Sequence, residues 1–132
     1  MYSIRRSPMY YQQGDVILKK VTKAEMKKLK TKEVQLEDKV LQRGETTGHK
    51  HQFVGSAALK VYSTDERAAD PGQVLRITDL NGRRFIEVLP GDEPALLKHE
   101  EHKPIHILPG LYELDIVREF DWVEGLVRRV LD

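Results

Sequence analysis

The chain has 132 residues, of which 39% are hydrophobic and 33% charged, and its net charge is +1. This length suits one domain with a buried core and is too short for two ordinary domains. The chain has no cysteine, which excludes disulfides, thiolate metal sites and cysteine nucleophiles. No apolar run is long enough to cross a membrane, and no apolar stretch follows the N-terminal Arg5-Arg6 pair as in a secretory signal. We therefore expect a cytoplasmic protein that does not contact membranes.

The N-terminal part predicts an arm, a strand and a short helix. Residues 1–13 are rich in tyrosine and predict an extended arm, while 14–132 form a single domain. Residues 14–21, "GDVILKKV", open with a turn pair and continue as a strand. Thr22 and Glu25 have the spacing of a capping box, so a short helix follows. An arm of this kind beside open sheet edges favours a homo-oligomer.

Lysine is concentrated in residues 19–32, "KKVTKAEMKKLKTK". Such a run is typical of a solvated helix face. A surface that attracts a polyanion needs aromatic or arginine residues nearby, and the run contains neither. Together with the small net charge, this makes a nucleic-acid partner an unfavoured alternative.

The rest of the chain predicts β structure. Residues 33–43 alternate in part and predict one strand or a tight hairpin, and Asn81-Gly82 predicts a hairpin turn within 74–94. Other strands are predicted over 49–54, 57–63, 111–122 and 123–132. Seven to nine short strands with one minor helix indicate a mainly-β, single-domain barrel or sandwich, and of these we expect a barrel.

All five histidines fall in two short stretches, 41–53 "LQRGETTGHKHQF" and 97–106 "LKHEEHKPIH". On a strand, His49 and His51 point to the same face and can chelate one ion. His99 and His102 share a face of a helical turn. If the two stretches meet, they form a site for a divalent transition metal: Zn, Fe, Ni, Mn or Cu. The predicted ligands are His49, His51, His99 and His102.

The chemistry of such a site depends on a carboxylate. Glu45 or Glu101 can complete a set of two histidines and one carboxylate, and Glu101 can act as a general base toward a metal-bound water. His106 is the reserve ligand and the second candidate catalytic residue. The alternative interpretation is that the histidines are ordinary polar residues with backbone or solvent partners.

The segment "GETTGHKHQF" resembles the first sequence box of the cupins, in which a glycine-led turn enters a strand carrying His-x-His. This resemblance implies a cupin-like jelly roll in which His49 and His51 are metal ligands. The chain departs from the cupin pattern in two ways. Residues 52–60 contain no glutamate, and His99, His102 and His106 precede the Pro109-Gly110 turn. The boxes "GETTGHKH" and "HEEHKPIHILPGLY" also resemble a group of small bacterial and phage proteins, and that resemblance implies no function.

The sequence leaves three functions open. The first is a small metal-dependent enzyme acting on a small polar substrate. The second is a non-catalytic protein-interaction module with structural histidines. The third is a metal-free histidine ribonuclease, in which Arg43 or Lys50 stabilises charge. The third function requires the basic segment 19–32 to border the histidines.

Overall fold

The structure, a computed structural model, describes residues 9–44 and 48–117. It is mainly β, as the sequence predicts, with one short α-helix, α1 (Lys23–Lys27), and two 3₁₀ turns at Glu66–Ala69 and Ile77–Asp79. The strands are β1 Tyr10–Gln13, β2 Val16–Lys20, β3 Lys32–Leu36, β4 Val40–Arg43, β5 Lys50–Val54, β6 Leu59–Ser63, β7 Val74–Leu75, β8 Arg84–Val88, β9 Ala95–Lys98, β10 Ile105–Ile107 and β11 Gly110–Ile116.

These strands form two sheets with a shared core. The larger sheet has seven strands in the order β1-β2-β11-β8-β6-β3-β7, and the smaller has four in the order β10-β9-β5-β4. Apolar residues of both sheets, among them Leu18, Phe53, Ile86 and Leu97, belong to one buried cluster. The core therefore lies between the sheets. Within the described residues each sheet has two free edges, so the expected closure into a barrel is not present.

The helix covers the outer face of the seven-stranded sheet. Thr22 caps it as predicted, because its hydroxyl accepts the Glu25 N–H at 3.1 Å. Met26 packs with Phe85 and Leu111 in a second, smaller apolar cluster. Ile86 and Tyr112, the chain neighbours of those two residues, face the core between the sheets. Since successive strand residues point to opposite faces, α1 lies on the face away from that core.

Two local predictions are wrong. Residues 33–43 are neither one strand nor a hairpin, because β3 pairs with β6 in one sheet and β4 pairs with β5 in the other. Asn81-Gly82 does not join a hairpin, since β7 pairs in parallel with β3 and β8 pairs with β6 and β11. Asn81 instead donates its N–H to the buried Asp65 carboxylate at 2.8 Å. Tertiary partners outweigh the local turn preference.

The predicted N-terminal arm and the predicted C-terminal strands have different outcomes in the structure. Part of the predicted arm, Tyr10–Gln13, is the edge strand β1, and it forms a hairpin with β2 through Gly14-Asp15. The long strand near the C-terminus is present as β11. The predicted strand over 123–132 lies outside the described residues, as does Glu45.

Candidate metal centre

Four of the five histidines lie together, and we call His49, His51, His99 and His102 the histidine cluster. His99 is central: its ring centroid is 4.1 Å from that of His51, 4.8 Å from that of His102 and 5.8 Å from that of His49. The rings of His51 and His102 are 5.9 Å apart. Segments about fifty residues apart in sequence thus contribute two imidazoles each.

The pairing of β5 with β9 explains this convergence. Phe53 is opposite Leu97 in the register, and both are buried between the sheets. His51 is two residues before Phe53 and His99 two residues after Leu97, so both rings continue the same inner face. The chain then bends at residues 100–102, which brings His102 back to the ring of His99.

His106 is not part of the cluster. It lies on β10 opposite Leu96, whereas its neighbour Ile105 is opposite Leu97. Because side chains alternate along a strand, His106 is on the outer face of the four-stranded sheet, and it is exposed. The geometry therefore separates this candidate catalytic residue from the other four histidines.

Gln13 determines which nitrogen of His51 carries a proton. The Gln13 amide Nε2 donates to the carbonyl oxygens of Leu97 at 3.0 Å and Lys103 at 2.9 Å. Its Oε1 is then left to accept, and it lies 2.9 Å from His51 Nδ1. His51 Nδ1 must therefore be the donor, and Nε2 holds the lone pair of the neutral ring.

Asp15 faces that second nitrogen. One carboxylate oxygen, Oδ1, lies 3.3 Å from His51 Nε2, and the other accepts a hydrogen bond from Gln42 Nε2 at 2.9 Å. The Asp15 side chain is 45% exposed while that of His51 is 4% exposed. The carboxylate thus lies between the buried imidazole and solvent.

Burial lowers the pKa of His51 to about 4. Desolvation is the largest cause, and repulsion from His99 and His102 adds to it, while Asp15 acts in the opposite direction. His51 is consequently neutral at pH 7. A neutral imidazole is the form that binds transition metals.

The central ring, His99, has a partner at each nitrogen. Its Nδ1 accepts the backbone N–H of Glu101 at 3.1 Å, so the neutral ring carries its proton on Nε2. That Nε2 is 4.0 Å from Glu100 Oε2, which also accepts the Lys50 N–H at 2.9 Å. As placed, His99 packs against His51 without presenting a lone pair to a metal.

Glu101, the other candidate catalytic residue, lies at the outer side of the cluster. Its Oε1 is 3.8 Å from His49 Nδ1, and its side chain is 69% exposed. Glu100, next to it in sequence, has a lowered pKa, first because it accepts the Lys50 N–H. The acidic pair Glu100 and Glu101 therefore borders the cluster from the connection between β9 and β10.

The β1–β2 turn contacts the cluster through Gly14. Its φ of +59° is the conformation that a two-residue hairpin with glycine first requires. A Cβ at this position would be 2.8 Å from His102 Nε2 and 3.3 Å from His51 Cε1. Glycine is therefore needed both for the turn and for the approach of the backbone to two imidazoles.

One open cavity adjoins the cluster, and a second lies close to it. One, of about 340 Å³, is lined by Lys50, Lys98, His99 and Glu100 among others. The larger, of about 630 Å³, is lined by polar groups that include Gln42, Arg43, Arg84, Asp79 and Asp115. Gln42 is shared between this groove and the Asp15 carboxylate, so the groove begins one side chain away from the histidines.

The donors present are imidazoles and carboxylates, which suit Zn, Fe, Mn, Ni and Cu. In residues 9–44 and 48–117, no three such side chains are yet arranged to hold one ion. The buried His51 is fixed by Gln13, whereas His49 is 28% exposed and His102 lies on the surface. The outer members can therefore change rotamer around a fixed inner one.

Sequence reasoning missed the three residues of the β1–β2 turn that contact the cluster: Gln13, Gly14 and Asp15. The Gly-Asp pair did indicate a turn before β2. Nothing local to it indicates that this turn ends beside histidines 36 and more residues away, because that proximity depends on how the two sheets stack.

The chain matches one known protein family. A family model described as "Domain of unknown function (DUF8820)" matches residues 12–117, and the chain belongs to this family. The match includes Gln13, Asp15 and all five histidines. No curated protein and no solved structure matches the chain. Among the described residues, no helix has the length and apolar character needed to cross a membrane.

Proposed function

We propose that the histidine cluster binds one divalent transition metal, with the Nε2 atom of His51 as the inner ligand. The observation that carries this proposal is the convergence of four imidazoles from two distant segments around one buried neutral ring. His51 donates through Nδ1 to Gln13, and metal-binding histidines commonly make such a hydrogen bond through their second nitrogen. The ligand lone pair is thereby available on Nε2.

The remaining ligands come from the half-exposed members of the cluster. His102 and His49 supply further imidazoles by rotating toward His51. His99 ligates only if its ring gives up the bond from the Glu101 N–H, and otherwise it holds His51 in place by stacking. Glu101, 3.8 Å from His49, is the general base in this proposal.

The larger groove supports an enzymatic role on a small polar substrate. It is lined by arginine, aspartate and asparagine side chains, and its lining residue Gln42 donates to Asp15, which contacts His51. Its volume of about 630 Å³ is in the range of small-molecule sites. A metal held beside it would polarise a substrate oxygen or activate a water.

For the finer architecture we propose a cupin-like jelly roll. Its support is that β5, which carries His51 and directly follows His49, pairs with β9, the strand that leads to His99. The ligand set then differs from the pattern that the cupin resemblance implies, since all histidines of the second segment precede Pro109-Gly110.

Metal content tests the proposal. The full chain is purified without a histidine tag or chelator, and metals are quantified by mass spectrometry alongside a His49→Ala/His51→Ala variant. The matched control is His106→Ala, which removes a histidine from the opposite face of the same sheet. We expect about one metal per chain in the wild type and the control, and little in the double variant.

A second measurement guards against misfolding of the double variant. Chelator-stripped wild type is titrated with Zn²⁺ while thermal unfolding is followed. A ligand present at about 100 times its Kd stabilises the folded state by about 2.7 kcal/mol, so Tm rises clearly. Absence of metal in the purified wild type together with no Tm change on adding Zn²⁺, Co²⁺, Mn²⁺, Ni²⁺, Cu²⁺ or Fe²⁺ would contradict the proposal.

The second candidate is a non-catalytic interaction module. Met9 and Tyr10 favour it, since they are 73% and 59% exposed beside the free edge of β1. A second copy of the chain is the simplest partner for such an edge, which sedimentation analysis would detect. The metal-free nuclease is less favoured: the basic helix lies on the outer face of the larger sheet, away from the core side where His51 lies.

A further inference from the structure

In the contact between Asp15 and His51, two hydrogen-bond acceptors face each other. His51 Nδ1 already donates to Gln13, so Nε2 presents a lone pair, and it lies 3.3 Å from Asp15 Oδ1. A carboxylate oxygen is also an acceptor. Two acceptors at this distance repel each other unless a positive species lies with them, either a proton or a metal ion.

The spacing fits two ligands of one ion. Zinc binds imidazole nitrogen and carboxylate oxygen at about 2.0–2.2 Å, so two such donors at tetrahedral or octahedral angles are about 3.0–3.5 Å apart. The observed separation of 3.3 Å falls within this range. Asp15 is half-exposed, so an ion can reach it from solvent.

The surrounding residues hold this pair in place. Gln13 is itself buried and is anchored by two backbone carbonyls of the β9–β10 region. Gln42 fixes the second oxygen of Asp15, which leaves Oδ1 toward His51. Gly14 lies between Gln13 and Asp15 in the chain, and because it has no side chain the His102 ring can approach the same turn.

We propose that Asp15 is the carboxylate ligand of the metal centre, next to His51 Nε2, and that Gln13 is the positioning residue that directs that nitrogen to the metal. This inference rests on the metal-binding function proposed above. With His102, whose Nε2 approaches the Gly14 turn, as the second imidazole, the donor set becomes two histidines and one carboxylate. Such a set leaves coordination positions open and suits Fe²⁺ or Mn²⁺ better than an all-histidine set does.

Cobalt binding tests the role of Asp15. The chelator-stripped full chain is titrated with Co²⁺, following both affinity by calorimetry and the visible absorption of the bound ion, which changes with its ligands. Asp15→Asn keeps the size of the side chain and an acceptor for Gln42 but removes the charge. Asp15→Glu restores a carboxylate, and Asp70→Asn, an exposed aspartate in the loop before β7, is the matched control.

We expect Asp15→Asn to weaken Co²⁺ binding by more than 10-fold and to alter the absorption of any ion still bound. Asp15→Glu recovers part of the affinity, and Asp70→Asn matches the wild type. Equal affinity and an unchanged spectrum in Asp15→Asn would overturn this inference while leaving the proposed metal centre intact. If the wild type binds no ion, both proposals fail together.

The role of Gln13 has a separate readout. In the metal-free chain, long-range ¹H–¹⁵N NMR should show His51 with its proton on Nδ1. Gln13→Leu removes this preference and lowers metal affinity by about 10–100-fold, as is usual for residues that orient a ligand. A proton found on Nε2 of His51 in the wild type would overturn the assignment of Gln13.

Discussion

Within the described residues two polar centres are buried, one around Asp65 and one around His51, and they differ in how many of their hydrogen-bond acceptors face a donor. Each Asp65 oxygen accepts two hydrogen bonds: Oδ1 from the Arg67 N–H and Nε, and Oδ2 from Arg67 Nη2 and the Asn81 N–H. The bond from the Arg67 side chain is the main reason that the pKa of Asp65 is held well below its usual range. Every acceptor there faces a donor.

At His51 the matching is incomplete. The Nδ1 atom of His51 donates a hydrogen bond to Gln13, but its Nε2 atom, an acceptor, faces the Asp15 carboxylate, which is also an acceptor. The neighbouring His102 ring, with its centroid 5.9 Å from that of His51, adds a further imidazole. A buried polar centre in which every acceptor faces a hydrogen-bond donor stabilises the fold, whereas a centre with more acceptors than donors can bind a cation. This difference supports the proposal that the Asp65 centre stabilises the fold and that the histidine cluster binds a cation.

The largest expected effect separates the two centres directly. Asp65→Ala leaves the Asn81 and Arg67 N–H groups without their acceptor and breaks the ion pair with Arg67. We expect a loss of about 4 kcal/mol in the free energy of unfolding, measured by urea denaturation. Metal content should not change. If the variant folds with full stability but has lost its metal, the division between the two centres is wrong.

Acid should destabilise the metal-free protein through His51. The folded-state pKa is lowered to about 4 from 6.5, so between these values the unfolded chain binds more protons. Stability is complete above pH 6.5 and falls by up to about 3 kcal/mol as the pH is lowered toward 4. The measurement is urea denaturation from pH 7.5 to 4.5 with chelator present. The His51→Gln variant should show a shallower dependence, and an identical slope in both proteins would mean that His51 is not its source.

Gly14→Ala tests whether the turn serves both fold and site. The positive φ costs an alanine about 1–2 kcal/mol, and the new methyl meets His102. Gly72→Ala is the matched control, because its φ is +76° and no atom lies within 4 Å of the added Cβ. Thermal unfolding should show a loss for Gly14→Ala at least as large as that for Gly72→Ala, while only Gly14→Ala weakens Co²⁺ binding. Equal Co²⁺ affinity in the two variants would show that the β1–β2 turn does not contribute to the metal site.

The smallest effect is expected at the fifth histidine. His106→Gln alters an exposed side chain on the outer face of the four-stranded sheet, so stability should stay within about 0.5 kcal/mol of the wild type. Metal affinity should also be unchanged in calorimetry. A loss of metal from this variant would mean that the outer face, not the inner one, holds the ion.

The secondary structure was partly predictable. The alternation in residues 111–116 predicts β11, and Thr22 with Glu25 predicts α1, because both signals arise within a few residues. The prediction for 33–43 failed because β3 and β4 belong to different sheets, and the prediction for Asn81-Gly82 failed because β7 and β8 lie in one sheet without pairing with each other. The local alternation of apolar and polar residues predicts a strand but does not determine which other strand it pairs with.

The sequence by itself determined that the protein is mainly β, that it lacks thiolate chemistry, and that its histidines occur in two groups spaced to place rings on shared faces. Only the tertiary structure decided that His106 is excluded, that Gln13 sets the proton of His51, and that Asp15 joins the histidines. The physical reason is range. Residue spacing fixes directions over two to four positions, whereas contacts between positions 13, 51 and 99 depend on strand pairing and sheet stacking, which bring distant segments to one buried face.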